Sequence, residues 1–208
     1  MTRQKPDLDS AFALTSPAES VALYRDWAGS YDAGFAAPMG YRLPALVAQA
    51  FAAGGGHGPV LDVGAGTGLV AERLAALGVA PVDAIDISPD MLAVAAAKGH
   101  YRTAMVADLC QGIPVPDGRY HGITSSGTFT HGHVGPQVFD ELLRVAAPDA
   151  LFALSINLGV YHQQGFAAKL AELSPRITGL HLAEIVIYDT PDAAHADQKA
   201  LIVSFRKR

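Results

Sequence analysis

Residues 60–69 read VLDVGAGTGL, and this stretch decides the fold. Val60 to Val63 form a short apolar run carrying one acid, Asp62. Gly64, Gly66 and Gly68 follow at spacings of two, and VAERLAAL, residues 70–77, then has the composition of a helix. The order is buried strand, tight turn, helix. Glycines let the backbone turn sharply and come close to a ligand, while the helix beyond offers N–H groups and the positive end of a dipole. The stretch predicts a nucleotide-type binding loop.

A dinucleotide fingerprint, G-x-G-x-x-G, looks much the same, but here the third glycine falls one place early. Asp62 sits two residues before the first glycine, where its carboxylate is expected to point into the pocket. A carboxylate there repels a pyrophosphate and attracts a ligand with an ammonium group and no phosphate, as in S-adenosylmethionine. A turn or capping aspartate is the plainer alternative.

The chain continues outward as alternating strands and helices. VDAIDI, residues 82–87, is a second buried run, and Ser88-Pro89 caps a helix that runs through Lys98 to a stop at Gly99. Asp86 ends this strand about twenty residues past the glycine loop, the position from which a carboxylate accepts hydrogen bonds from ribose hydroxyls. A third strand, 103–107, leads to Asp108-Leu109, where Asp108 either lines the site or caps a turn. The fourth strand is placed at 121–124, followed by a polar loop at 124–136 and a helix at 137–145. The fifth strand is placed at 151–156, then a helix at 166–173 and an antiparallel pair at 183–188 and 199–205, joined by a loop with Pro191. Asp62, Asp86 and Asp108 thus fall at the carboxyl ends of consecutive strands, where open α/β sheets bind ligands. The pattern predicts a mainly parallel sheet with helices on both faces.

Before the loop, residues 1–16 read as a loose start. A helical pattern then carries Val21, Tyr24, Trp27 and Ala28, with Tyr31 close behind, and a second helix, 44–53, stops at Gly54-Gly55-Gly56. The aromatics between Tyr24 and Tyr41 either pack a core or close over a ligand.

The 208 residues include 15 Lys plus Arg against 20 Asp plus Glu, for a net charge of -5, so there is no basic footprint for nucleic acid. A small acceptor fits better. The length suits one domain, and half the residues are hydrophobic, too many for disorder. The single cysteine, Cys110, excludes an internal disulfide, no stretch reads as a secretory leader or membrane span, and a cytoplasmic protein is expected.

Together these residues resemble the class I S-adenosylmethionine-dependent methyltransferases: VLDVGAGTG as the first motif, AIDISPDML as the second, ADLCQGIPVPDGRYHGI as the third and LLRVAAPDALFALSI around strand five. Within the class, YRDWAGSYDAGF and GYRLPALVAQAF are similar to the N-terminal region of methyltransferase-like proteins related to the Williams-Beuren critical-region product. The resemblance implies a Rossmann-like, doubly wound seven-stranded sheet in the order 3-2-1-4-5-7-6 with strand 7 antiparallel, a helical lid at 1–56 and a cofactor-binding core at 57–208. It also implies that Gly64, Ala65, Gly66 and Gly68 line the methionine moiety of S-adenosylmethionine, with Asp62 near its amino group. Asp86 would bind the ribose, Ile87 pack on adenine, and Asp108 with Leu109 meet the adenine amino edge; Tyr24, Trp27 and Tyr31 would belong to the lid. Two positions depart from the family: His121 where Asp is common, and Pro148-Asp149-Ala150 in place of a Pro-Gly-Gly turn.

Methyl transfer from a sulfonium needs alignment more than a nucleophile. If the acceptor carries a proton, His131 or His133, in the expected loop after strand four, is the candidate base. The same His-x-His could serve only the loop, and it lacks a third ligand at metal-binding spacing. Cys110 lacks a matching motif and reads as a small buried or half-buried residue. The expectation is methyl transfer to a small-molecule acceptor. The alternatives are a non-catalytic cofactor-binding partner or regulator on the same fold and, more weakly, an NAD-dependent enzyme.

Overall fold

The computed structural model describes residues 6–190 and 195–208. Residues 1–5 of the expected loose start, and Pro191 in the expected terminal loop, lie outside them. Seven strands form one sheet: β1 (Val60–Val63), β2 (Val82–Asp86), β3 (Thr103–Val106), β4 (Tyr120–Phe129), β5 (Ala146–Asn157), β6 (Ile177–Val186) and β7 (Lys199–Lys207). Their order is β3-β2-β1-β4-β5-β7-β6. β1 pairs in parallel with β2 and β4, β2 with β3, and β4 with β5, whereas β7 runs antiparallel to both β5 and β6. This is the topology the resemblance implies.

Every residue of β1 and β2 is buried. Both faces of a parallel sheet are covered by helices, so its central strands read as continuous apolar runs. One face packs against α3 (Leu43–Ala53) and α4 (Leu69–Ala76), with Val47, Phe51, Val70 and Leu74 in its core. The other packs against α6 (Val138–Val145) and α8 (Phe166–Glu172), with Phe139, Leu142, Phe166 and Leu170. α5 (Pro89–Ala97) follows β2, and its cap is built as read: Ser88 Oγ accepts from the Met91 N–H at 3.3 Å, with Pro89 in the first turn. A short α7 (Leu158–Tyr161) follows β5.

The N-terminal segment is more ordered than its sequence suggested. α1 (Leu8–Phe12) is capped by Asp7, α2 (Pro17–Trp27) by Ser16, and a π-helical turn spans Asp32–Ala36. Tyr41 bridges Tyr188 beyond the end of β6, and the Arg42 N–H donates to the Ile187 carbonyl at 3.0 Å. The segment is thereby pinned to the far edge of the sheet.

Three boundaries differ from expectation. β4 continues to Phe129, through half of the expected polar loop. Its polar side chains are spent on neighbouring strands: Ser125 Oγ and Thr128 Oγ1 both donate to the Val63 carbonyl, and the Gly127 N–H donates to Ser155 Oγ. A strand whose hydroxyls satisfy its neighbours carries no apolar pattern to read. β5 begins at Ala146 rather than Leu151, and within it Asp149 takes a left-handed φ of 62° where the family uses glycine. Aspartate is among the few residues that tolerate that conformation. β6 begins at Ile177 rather than Ala183, because as an edge strand much of it stays exposed and lacks alternation.

Candidate active site

The carboxyl ends of β1, β2 and β4 open into a cavity of about 320 Å³, roofed by α1, α2 and the π-helical turn. This is the switch point at which open α/β sheets bind ligands.

The glycine loop forms the floor. Gly64, Gly66 and Gly68 all have positive φ, at 64°, 53° and 87°. A Cβ at Gly64 would strike Thr128, whereas one at Gly66 would stand in open space, with no protein atom within 4 Å. Gly66 therefore leaves a cradle beside the cavity that a side chain would fill. The Gly64 and Ala65 N–H groups both donate to the Ile85 carbonyl, and the Gly66 N–H donates to Asp86 Oδ2 at 2.8 Å. These amides hold the loop to β2, so its capacity for an anion lies in the first turn of α4.

Most of the residues singled out in the sequence meet here. Gly64, Ala65, Gly66, Asp86, Ile87, Asp108, Leu109, Tyr24, Trp27, Tyr31 and His133 all line the cavity. Asp86 is 9% exposed; its Oδ1 accepts from the Ser88 N–H at 2.8 Å, and burial pushes its carboxyl above the usual range. Asp108 both lines the cavity and caps a turn, accepting from the Cys110 N–H at 2.9 Å, so the two readings of it coexist.

Three candidates stand elsewhere. Asp62 is fully buried behind the loop rather than pointing into the pocket: Tyr101 donates to its Oδ2 at 2.5 Å and Thr124 to its Oδ1 at 3.0 Å. Burial raises its carboxyl to about 7 against these two hydroxyls. Gly68, the N-cap of α4, sits off the cavity, where a Cβ would press on Tyr101 and Ala95; it allows close packing against α5. His131 turns away, its ring 5.4 Å from Phe12 and against Gly159. The extension of β4 and the turn after it divide the His-x-His pair, sending one ring in and the other out. Cys110, read as buried or half-buried, is exposed.

His133 is held at both ring nitrogens. Nδ1 lies 2.6 Å from the His131 carbonyl oxygen and Nε2 lies 2.8 Å from Tyr24 Oη. A carbonyl only accepts, so Nδ1 carries the proton; in the neutral ring Nε2 then accepts from the tyrosine. Burial lowers the His133 pKa from the ordinary imidazole range, which keeps the ring neutral.

The roof is aromatic. Tyr24 stacks on Trp27 at 6.2 Å, Trp27 meets Tyr31 edge-on at 5.1 Å, and Phe35 links this group to Tyr41 and Tyr188. The aromatics thus both pack together and line the cavity. Tyr188, far along the chain, gave no sequence signal, because only the Tyr41 bridge brings it here. Asp32 fastens the roof to the floor: Thr67 Oγ1 donates to its Oδ1 at 2.6 Å, and Lys98 pairs with its Oδ2 at 2.5 Å. Among the described residues, no three His, Cys, Asp or Glu side chains are grouped to hold a metal ion.

Sheet order and glycine loop match the Rossmann-like methyltransferase fold, and residues 60–149 match the family model described as a methyltransferase domain. The chain is 32% identical over 151 residues to methyltransferase-like protein 27 of Homo sapiens, covering 70% of this chain and 61% of that protein. It is also 33% identical over 133 residues to malonyl-[acyl-carrier protein] O-methyltransferase of Geobacter sulfurreducens, covering 62% of this chain and 49% of that protein. The chain thus spans 61% and 49% of these relatives' lengths. Among solved structures, the [4+2]-cyclase SpnF superposes with a TM-score of 0.69 at 17% identity, covering 93% of this chain and 97% of that one.

Proposed function

We propose that the protein transfers a methyl group from S-adenosylmethionine to a small-molecule acceptor by in-line displacement. One observation carries this reading: the cavity that joins the glycine loop and Asp86 at one end also contains, at its roof, a neutral His133 hydrogen-bonded to Tyr24. The cradle at Gly66 and the acid ending β2 fit a nucleoside with an aminoacyl arm. In this reading Gly64, Ala65 and Gly66 line the methionine moiety and Asp86 turns its remaining acceptor capacity to the ribose. Ile87 packs on adenine, and Asp108 with Leu109 meets the adenine edge. Of the segment 1–56, the described residues 6–42 act in this reading as the lid, while α3 packs on the sheet with the core at 57–208.

Bound there, S-adenosylmethionine supplies a sulfonium methyl of high transfer potential. The protein's part is alignment and proton removal. Holding two reactants in attack geometry is worth about 7 to 11 kcal/mol of barrier. Tyr24 passes its proton to His133 Nε2 as it takes one from the acceptor. The imidazolium formed loses that proton to solvent afterwards.

The second reading, a cofactor-binding partner or regulator without turnover, uses every cofactor contact but has no use for an oriented base. The Tyr24–His133 pair favours catalysis. In the cell, we place the protein in the cytoplasm, in keeping with an exposed, unpaired cysteine; among the described residues no helix is long and apolar enough to cross a membrane.

Calorimetric titration with S-adenosylmethionine and S-adenosylhomocysteine, with NAD as control and an Asp86→Ala variant alongside, tests the reading. The first two bind, NAD does not, and the variant loses about ten- to a hundredfold in affinity, the scale of hydrogen bonds to a charged group. Absence of binding by the first two overturns it.

A further inference from the structure

The geometry points to an acceptor that is uncharged and largely apolar, not a carboxylate or phosphate; this rests on the methyl-transfer reading and narrows it. Among the described residues lining the cavity there is no Lys, Arg or Glu. The only carboxylates are Asp86 and Asp108, both at the nucleotide end. Lys98, tied to the roof, is already paired with Asp32 and Glu72 and does not line the cavity.

The rest of the wall is neutral. Burial raises the phenols of Tyr24, Tyr31, Tyr41 and Tyr188, Tyr41 to about 12, so none ionises at ordinary pH. His133 is kept neutral in the other direction. An anionic acceptor would therefore bring its charge against a largely apolar, aromatic wall with no counter-charge among the described residues that line it, which is far costlier than burying a neutral polar group that finds a hydrogen bond.

Rotation of the Thr130 side chain would supply one such hydrogen bond. Thr130 lines the cavity at 9% exposure, and its buried Oγ1 has no hydrogen-bond partner among the described residues. Its backbone carbonyl meets the His133 N–H at 3.4 Å, so this hydroxyl lies close in sequence and space to the proposed base. A buried polar group left unsatisfied is costly, and a neutral acceptor head group that bonds to it removes that cost. We assign Thr130 as a positioning residue for the acceptor.

The test uses the full-length protein saturated with S-adenosylhomocysteine and three naphthalene probes at neutral pH: 2-naphthol, 2-naphthamide and 2-naphthoate. Only the last is charged. Both neutral probes are expected to bind at least about tenfold more tightly than the carboxylate, and Thr130→Val to weaken naphthol binding several-fold while S-adenosylhomocysteine affinity stays as in the parent. Equal or tighter binding of naphthoate overturns the proposal, as does failure of all three probes on a protein that binds S-adenosylhomocysteine. Failure to bind S-adenosylhomocysteine overturns the methyl-transfer reading itself, which separates the two.

Discussion

Tyr24 Oη lies 2.8 Å from Nε2 of His133, while Nδ1 of the same ring is fixed 2.6 Å from the His131 carbonyl oxygen. A helix of the lid and the turn after β4 thus share one oriented proton path. Replacing His133 by Gln, or Tyr24 by Phe, is expected to lower kcat by about 100- to 10,000-fold, the usual contribution of a positioned acid–base group, with S-adenosylhomocysteine affinity unchanged. His131→Asn, altering a ring outside the cavity, leaves kcat close to that of the parent. Because burial lowers the His133 pKa, the acid limb of kcat/KM falls below 6.5, and it disappears in the Gln variant. A limb at or above the ordinary imidazole value contradicts this assignment.

Asp62 gives a stability signature independent of turnover. Its folded-state carboxyl is raised from 3.8 to about 7. A raised value means the folded protein holds a proton the unfolded chain has released, so the contribution of Asp62 is fully present below 3.8 and is lost as pH rises toward 7. Each unit of separation corresponds to about 1.4 kcal/mol. Asp62→Asn removes this dependence: denaturant titrations between pH 4 and 7 should show the variant gaining on the parent as pH rises. A constant difference across that window rules out a buried, protonated Asp62.

Gly64 combines a positive φ with the side chain of Thr128 where a Cβ would stand. Gly64→Ala is expected to cost about 1 to 3 kcal/mol of stability from backbone strain alone, with a further cost from the clash. Adding Thr128→Ala recovers part of the clash, since its own Cβ would still stand 2.9 Å from the new one, and none of the strain. Full recovery in the double variant, measured by urea unfolding, would show that the left-handed backbone carries no strain there.

Asp32 links lid and loop through Thr67 and Lys98. Asp32→Ala is expected to speed amide hydrogen exchange in α2 and the π-helical turn and to weaken S-adenosylhomocysteine binding, while exchange in β1 and β2 stays slow. Uniform acceleration throughout the sheet would instead mark Asp32 as a general stabilising residue.

The sequence by itself determined the fold and the nucleotide end of the site. Buried parallel strands are continuous apolar runs, positive-φ turns require glycine, and Ser88-Pro89 starts a helix by local chemistry alone; each signal lies within a few residues of what it specifies. Asp86 and Asp108 follow directly from strand ends, Ile87 and Leu109 from the family resemblance, and all four are found at the cavity. What only the tertiary structure decided depends on partners distant in sequence. Asp62 faces inward because Tyr101 and Thr124 offer two hydroxyls behind the loop. Of His131 and His133, one ring enters the cavity and one leaves it because β4 runs on to Phe129, its hydroxyls spent on Val63. Tyr188 reaches the roof only through its bridge to Tyr41. Side-chain direction at such positions is set by which hydrogen bonds and ring contacts the assembled chain can satisfy, and that information is not local.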